Sequence, residues 1–173
     1  EAWTATITSS MDVAKAMGRG EIVLSAGRSS EKAHMEKFNL PQESYIMMGD
    51  YLEFALLEAK KYGFKKIHLC AQWAKMLKIA MATPQTHVRH GAINLKKAVE
   101  FLKGLGVTDW GLAQEFNTAM EIFNFIISPS HSPIHLFTNV CVAAKKYAEN
   151  IASEIPVISH LVSYEGDIIE SSE

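Results

Sequence analysis

Cysteine is scarce in this sequence, which contains only Cys70 and Cys141 among its 173 residues. The two lie far apart and lack the spacing of a zinc site, so we predict reduced thiols in a cytoplasmic protein. No apolar run reaches the roughly 20 residues that a membrane-spanning helix needs. The net charge of −2 gives no reason to expect nucleic acid binding. We therefore expect neither a membrane nor nucleic acid as a partner.

Several motifs that mark common enzymes are also missing. The G-x-G-x-x-G fingerprint of dinucleotide-binding folds and the G-x-S-x-G turn of many hydrolases do not occur. Histidine recurs at short spacing in two places, His87 with His90 and His131 with His135. Neither pair has a cysteine or carboxylate at ligand spacing, so we predict no protein-bound metal. Cys70 lies inside an apolar run, which predicts an inert buried thiol rather than a nucleophile.

What the sequence does contain is an alternation of short apolar runs and amphipathic helical stretches. Short apolar runs bounded by loops are typical of strands that are buried on both faces. We predict strands over Glu21–Ala26, Tyr45–Met48, Lys66–Ala71 and Pro156–Ser163. Helices between them make the fold class α/β, a three-layer Rossmann-like domain with a mostly parallel sheet and helices on both faces. Residues 1–173 are expected to form this single domain.

The same patterns predict where some helices begin and which side chains they bury. Ser29 or Ser30 is expected to cap the helix after the first strand, and Asp50 the helix after the second. A later helix is predicted to turn Met120 toward the core. The acidic tail that follows Ser163 is expected to be frayed.

Three polar loops follow the first three predicted strands: Gly27–Ser30, Gly49–Asp50 and Ala71–Lys75. Ligands of open α/β sheets bind at the carboxyl ends of the strands. We therefore expect these loops to meet at one edge of the sheet and to form a binding site. The longer Thr83–Gly91 loop is a candidate to close over the same edge.

The first two loops contain the candidate residues of a cofactor site, which are Gly27, Arg28, Ser29 and Asp50. Glycine lets the backbone approach a ligand, and the start of the following helix offers unpaired N–H groups. The Asp50 carboxylate can accept hydrogen bonds from ribose hydroxyls, as acidic residues do in nucleotide-binding folds. An ordinary strand–helix turn and simple helix capping by Asp50 are the alternatives.

A dense group of basic and polar side chains follows the third strand. Seven residues belong to it: Gln72, Lys75, Lys78, Thr86, His87, Arg89 and His90. So many hydrogen-bond donors beside one strand end suit a substrate that has several carboxylates. The alternative is a solvated helix face next to an ordinary surface loop.

Four segments of the chain resemble the cobalt-precorrin-5B C1-methyltransferases, the CbiD family of the anaerobic cobalamin pathway. They are EAWTATITSSMDVAKAMG, EIVLSAGRSSEKA, YIMMGDYLEFALLEAKKYGFKKIHL and AQWAKMLKIAMATPQTHVRHG. Their order and spacing together carry the resemblance, because each motif alone is weak. The likeness is good over residues 1–105 and looser afterwards. Gln72 stands where the family commonly has histidine, so no catalytic residue is assigned.

The resemblance implies methyl transfer from S-adenosylmethionine to C1 of cobalt-precorrin-5B, a step of vitamin B12 biosynthesis. It implies that the first two loops hold S-adenosylmethionine and that the basic cluster binds the tetrapyrrole carboxylates. The family's proteins have another half before this region. The chain is therefore expected to be a C-terminal half, with the missing N-terminal half as a partner, and its activity alone stays open.

Two other matters stay open at the level of the sequence. A corrinoid-binding or interaction domain without a cofactor pocket of its own is the alternative function. The oligomeric state is not determined by these patterns, and a homo-oligomer is one of the options.

Overall fold

A computed structural model describes residues 1–82, 93–106, 115–128 and 135–173. In these ranges the strands are β1 (Glu21–Ser25), β2 (Tyr45–Met47), β3 (Lys66–Gln72), β4 (Val157–Val162) and β5 (Ile168–Ser171). The helices are α1 (Ala2–Ala16), α2 (Arg28–Phe38), α3 (Leu52–Tyr62), α4 (Trp73–Ala80), α5 (Leu95–Gly104), α6 (Ala119–Ile127) and α7 (Leu136–Ala152). A short 3₁₀ helix precedes β2 at Gln42–Ser44. Among the described helices, none is long and apolar enough to cross a membrane.

The five strands form one mixed sheet in the order β2-β1-β3-β4-β5. The first four are parallel, and β5 runs antiparallel to β4 at the edge. The α/β class and the mostly parallel sheet are therefore confirmed. The four predicted strands occur with ends that differ by one residue at most.

Successive side chains of a strand point to opposite faces of the sheet, so each strand contributes to two different layers of packing. Along β3, Ile67 and Leu69 belong to the large apolar core that also contains residues of α1, α3 and α7. His68 lies on the opposite face, where its ring is 4.7 Å from that of His34 in α2. A central parallel strand covered on both faces must be apolar along its length, and β3 is buried from Ile67 to Ala71.

Four local expectations were wrong. The acidic tail is not frayed, because Ile168–Ser171 pairs with β4 as an edge strand. The N-cap of α2 is Gly27 rather than Ser29 or Ser30, because Ser30 lies at the third helical position and its hydroxyl bonds the Gly27 backbone. The N-cap of α3 is Tyr51 rather than Asp50. Met120 is 48% exposed, because α6 buries other positions against the core.

Gly49 occupies a turn that only glycine fits well. Its φ is +58°, and a Cβ there would lie 2.9 Å from Cζ2 of Trp3. The Trp3 indole N–H donates to the Met48 carbonyl at 2.9 Å, so the ring cannot move without losing that bond. The turn therefore fixes both the chain direction after β2 and the position of Trp3.

Gly49→Ala is expected to lower the free energy of unfolding by roughly 2–3 kcal/mol, from left-handed strain and from the clash with Trp3. Urea denaturation measures the change. Gly18→Ala is the matched control, because Gly18 has φ +74° but open space around its Cβ position. The loss of stability in Gly18→Ala measures only the strain of alanine in the left-handed region, about 1–2 kcal/mol. Equal losses of unfolding free energy in the two variants would show that the clash between the new Cβ and Trp3 contributes nothing.

Candidate functional site

The carboxyl ends of β1, β2 and β3 lie side by side. The N–H of Ala26 donates to the Cys70 carbonyl at 3.0 Å, and the N–H of Met48 donates to the Ser25 carbonyl at 2.9 Å. These bonds extend the sheet pairing by one step beyond the strands. The loops after the three strands therefore meet at one edge, as the sequence predicted.

The Gly27 turn connects β1 to α2 and is held by one side chain. The Ser30 hydroxyl accepts from the Gly27 N–H at 3.2 Å and donates to the Gly27 carbonyl at 2.8 Å. A Cβ added at Gly27 would have no neighbour within 4 Å, so the backbone here borders open space. Arg28 and Ser29 follow as exposed residues in the first turn of α2. That helix start presents N–H groups and a guanidinium to the same space.

Lys75 joins the three strand ends. Its ammonium lies 3.1 Å from Oδ1 of Asp50, in the loop after β2. It also donates to the carbonyl of Ala26, at the end of β1, at 3.0 Å. The Asp50 carboxylate therefore pairs with a lysine instead of capping α3, which begins after Tyr51 as its N-cap.

Gln72 closes the other side of the Gly27 turn. As the last residue of β3, it donates from Nε2 to the Ser163 carbonyl at 3.2 Å. The same nitrogen is 3.4 Å from Oγ of Ser29. A side-chain amide neither gains nor loses a charge near neutral pH. Gln72 therefore orders the end of β4 and the turn but cannot act as a general base.

Two clefts flank the Gly27 turn. The larger, about 660 Å³, is lined by Trp3, Ala26, Gly27, Arg28, Met47, Gly49, Asp50, Tyr51 and Lys75. The smaller, about 310 Å³, is lined by Ala26, Gly27, Arg28, Ser29, Ser30, Gln72, Ala74, Lys75 and Tyr164. Both fall near the range of small-molecule sites, roughly 300–1,000 Å³. Arg28 and Lys75 line both and supply positive charge to each.

The structure brings together six of the eleven predicted site residues: Gly27, Arg28, Ser29, Asp50, Gln72 and Lys75. Lys78 is only 6% exposed on α4, which differs from the solvated position expected of a carboxylate-binding lysine. The remaining four, Thr86, His87, Arg89 and His90, lie outside the described residues.

The two cysteines are free and completely buried. Burial raises the pKa of the Cys70 thiol well above its usual range, and it raises the pKa of Cys141 to about 12. A thiol with a raised pKa stays protonated near neutral pH and is a poor nucleophile. The prediction of a buried thiol at Cys70 is confirmed.

Sequence reasoning missed residues that reach the site from far along the chain. Trp3 lines the larger cleft although it lies 45 residues before Met48, its hydrogen-bond partner. Tyr164 lines the smaller cleft from beyond β4. The buried histidines His34, His68 and His160 also come together, beneath α2. No short-range pattern in the sequence marks any of these positions.

The fold is that of an α/β protein with two clefts at the carboxyl ends of its parallel strands. Over 170 residues, 97% of the chain, it is 43% identical to a protein named cobalt-precorrin-5B C(1)-methyltransferase from Desulfotalea psychrophila. Relatives of the same name in Geobacter metallireducens and Geotalea daltonii are each 32% identical over 98% of the chain. No protein-family model and no solved structure matches the chain.

This similarity to proteins named cobalt-precorrin-5B C(1)-methyltransferase confirms the resemblance seen in the four sequence segments. The chain spans about half the length of the relatives it matches: 46%, 48% and 47% of the three proteins. The matched half is their C-terminal part, as predicted.

Proposed function

We propose that this chain is the ligand-binding C-terminal part of an enzyme that methylates C1 of cobalt-precorrin-5B with S-adenosylmethionine. The observation that carries the proposal is the similarity along 97% of the chain to a protein named for that methyl transfer. The paired clefts at the strand ends support it, because methyl transfer needs two ligands side by side. Positioning is the main demand of such a reaction, in which a methyl group passes in line from donor to acceptor.

The larger cleft is the proposed site of S-adenosylmethionine, which supplies an electrophilic methyl group when bound. The open backbone at Gly27 and the first turn of α2 fit a carboxylate, with Arg28 and Ser29 as further donors. Asp50 would accept hydrogen bonds from the ribose hydroxyls, held in place by Lys75 at 3.1 Å. Trp3 and Tyr51 provide flat apolar walls.

The smaller cleft is the proposed entrance for the rim of the tetrapyrrole. Gln72 and Lys75 face it, together with Arg28 from the shared wall. We expect the Thr83–Gly91 segment, with its predicted ligands Thr86, His87, Arg89 and His90, to complete the carboxylate-binding surface. The part that Lys78 plays there stays a prediction.

The wider setting is proposed on the same basis. We place the protein in the cytoplasm and expect the preceding half of the family's proteins to complete the active site. We expect no nucleic acid partner. Whether the 173-residue chain is active without the other half, and whether it forms a homo-oligomer, stays open. The alternative function is a corrinoid-binding domain without its own cofactor pocket. It predicts that a corrinoid binds while S-adenosylhomocysteine does not.

Arg28→Gln in the full-length protein is expected to weaken binding of S-adenosylhomocysteine about tenfold, through loss of one charge-assisted hydrogen bond. Isothermal titration calorimetry measures the affinity. Lys32→Gln is the control, because Lys32 lies on the same helix and pairs only with the exposed Glu36 at 3.8 Å among described residues. Its affinity should match that of the unchanged protein.

Two results would overturn the cofactor assignment. If the full-length protein shows no heat of binding with S-adenosylhomocysteine, the proposed methyl donor is wrong. If it binds but Arg28→Gln and Lys32→Gln behave alike, the cofactor lies elsewhere. Binding of a corrinoid without any binding of S-adenosylhomocysteine would favour the alternative function.

A further inference from the structure

A cluster of three histidines lies beneath α2, on the face of the sheet opposite the main core. His34 comes from α2, His68 from β3 and His160 from β4. One ring nitrogen from each lies within 4.8 Å of the others. The residues are 0%, 5% and 2% exposed, so the cluster is cut off from bulk water. Three imidazoles at this spacing have the composition and proximity of a metal-binding set.

The outward nitrogen of each ring has its own partner. Nδ1 of His34 is 2.9 Å from the Tyr45 hydroxyl. Nε2 of His68 contacts the Glu21 carboxylate, and Nδ1 of His160 is 2.7 Å from the Ser171 hydroxyl. Histidines that bind metals almost always have their second nitrogen held in this way, since the partner fixes the ring and the tautomer.

The inward nitrogens are the ones left for a ligand. Nδ1 of His68 and Nε2 of His160 are 2.9 Å apart. Nε2 of His34 is buried and has no hydrogen-bond partner among the described residues. A buried polar atom without a partner costs free energy, and a bound cation would remove that cost.

The hydrogen-bond partners constrain the tautomers. A carboxylate can only accept, so His68 donates from Nε2 to Glu21 and keeps a lone pair on Nδ1. Without a metal, His160 donates from Nε2 to that lone pair. With a metal, the His160 proton moves to Nδ1 and is donated to Ser171, which leaves Nε2 free to bind. His34 binds through Nε2 when its own proton is on Nδ1 and is donated to the Tyr45 hydroxyl. All three rings then ligate as neutral imidazoles, with no net loss of protons.

We propose that His34, His68 and His160 bind one divalent transition-metal ion of the zinc type, which fastens α2 to the sheet. Imidazole is a preferred ligand for such ions, and three histidines leave a fourth position for water. The ring of Phe38 packs beside all three imidazoles, with its centroid 4.5, 5.8 and 5.1 Å from those of His34, His68 and His160. Phe38 is 38% exposed, so a small displacement of its ring opens a path from solvent.

The proposed site connects every strand of the sheet to α2. Ligands and their hydrogen-bond partners come one from each element: Glu21, Tyr45, His68, His160 and Ser171 from β1 to β5, and His34 from α2. A metal there would fix the helix whose first turn forms the Gly27 edge of both clefts. Metal binding by the three histidines does not depend on which ligands those clefts bind.

The test uses the full-length protein, stripped with a chelator, dialysed and titrated with Zn²⁺ or Co²⁺. We expect one equivalent to bind, a rise in melting temperature, and a Co²⁺ spectrum with tetrahedral d–d bands but no thiolate charge-transfer band. X-ray absorption should show nitrogen ligands about 2.0–2.1 Å from zinc. Absence of binding at micromolar metal, or a spectrum with sulfur ligands, would overturn the proposal.

Variants identify the ligands. His68→Gln should lower the affinity more than 100-fold, and Glu21→Gln, which only removes the partner of His68, should lower it about 10–100-fold. His135→Asn is the control, because His135 is exposed and its φ of +68° suits asparagine. A triple alanine variant at His87, His90 and His131 should keep full affinity. If it loses the metal, or if Glu21→Gln changes nothing, the buried cluster is a hydrogen-bonded network and not a metal site.

Discussion

The free energy of unfolding of the metal-free protein is expected to fall by roughly 2–3 kcal/mol for each pH unit below about 6. Two buried histidines cause this loss, because each contributes about 1.4 kcal/mol per pH unit. Burial, followed by electrostatic interactions with His68 and Lys37, lowers the pKa of His34 to about 3. Burial likewise lowers the pKa of His160 to about 3, with the neighbouring histidines as the next cause. The unfolded chain takes up protons near pH 6.5, the ordinary value for histidine, and the folded chain does not.

The sign follows from that difference in bound protons. Between pH 6.5 and 3 the unfolded state binds more protons, so its free energy falls relative to the folded state as the pH drops. The stabilising effect of neutral His34 and His160 is complete above pH 6.5 and is lost through this window. Two pH units remove about 5 kcal/mol, which equals the whole stability of many domains.

Urea denaturation at a series of pH values, in the presence of a chelator, measures this slope. The other titratable and charged groups around the two rings are Glu21, Glu31, Lys37, Tyr45, Lys66, His68 and Cys70. Variants separate the effect of these groups from that of the two rings. His34→Gln and His160→Gln should each remove about half of the slope of unfolding free energy against pH between pH 6 and 5, while His135→Asn leaves the slope unchanged. A slope that survives in both glutamine variants would mean that other groups govern acid unfolding.

Much of the fold follows from local patterns in the sequence. Apolar runs such as Ile22–Leu24, which is short and bounded by glycine-containing loops, favour buried strands, and this run lies in β1. The meeting of the three strand-end loops also follows, because parallel strands place their carboxyl ends at one edge. These predictions depend on contacts within a few residues or on a general rule of α/β folds.

The failures concern residues whose partners are distant in the chain. Aspartate is a residue type that often caps helices. The Lys75 ammonium, however, lies 3.1 Å from Oδ1 of Asp50 and attracts this carboxylate more strongly than backbone N–H groups do. The acidic tail forms β5 only because the edge of β4 offers unpaired backbone groups. His68 and His160 touch across 92 residues, and their spacing in sequence shows nothing of this.

The site is therefore built from contacts between residues that are distant in the chain. Lys75 makes two of these contacts. Its ammonium bonds both to Asp50, after β2, and to the Ala26 carbonyl, after β1. Both bonds fix backbone that lines the proposed cofactor cleft. Because the Lys75 side chain is about one-third exposed, the ion pair contributes little to folding, at most about 1 kcal/mol. Its main effect should be on the geometry of the cleft.

Lys75→Met in the full-length protein is expected to lower turnover about 100-fold, the cost of a displacement of about 1 Å in a reaction that relies on positioning. Methionine keeps the length of the side chain but loses both bonds. The change should appear in kcat and in affinity for S-adenosylhomocysteine, while thermal unfolding shifts little. Lys75→Arg should restore part of the activity, since a guanidinium can reach the same oxygen atoms.

Lys32→Met is the matched control for Lys75→Met, because it removes an exposed lysine ion pair from α2 without touching either cleft. A methyl-transfer assay that separates kcat from KM distinguishes two roles for Lys75. If only KM for the tetrapyrrole rises, Lys75 binds a substrate carboxylate directly, as the sequence suggested. If kcat falls with unchanged KM, it positions the Gly27 turn through Ala26 and Asp50. Parallel losses of activity and melting temperature would contradict both roles and make Lys75 a residue of the fold alone.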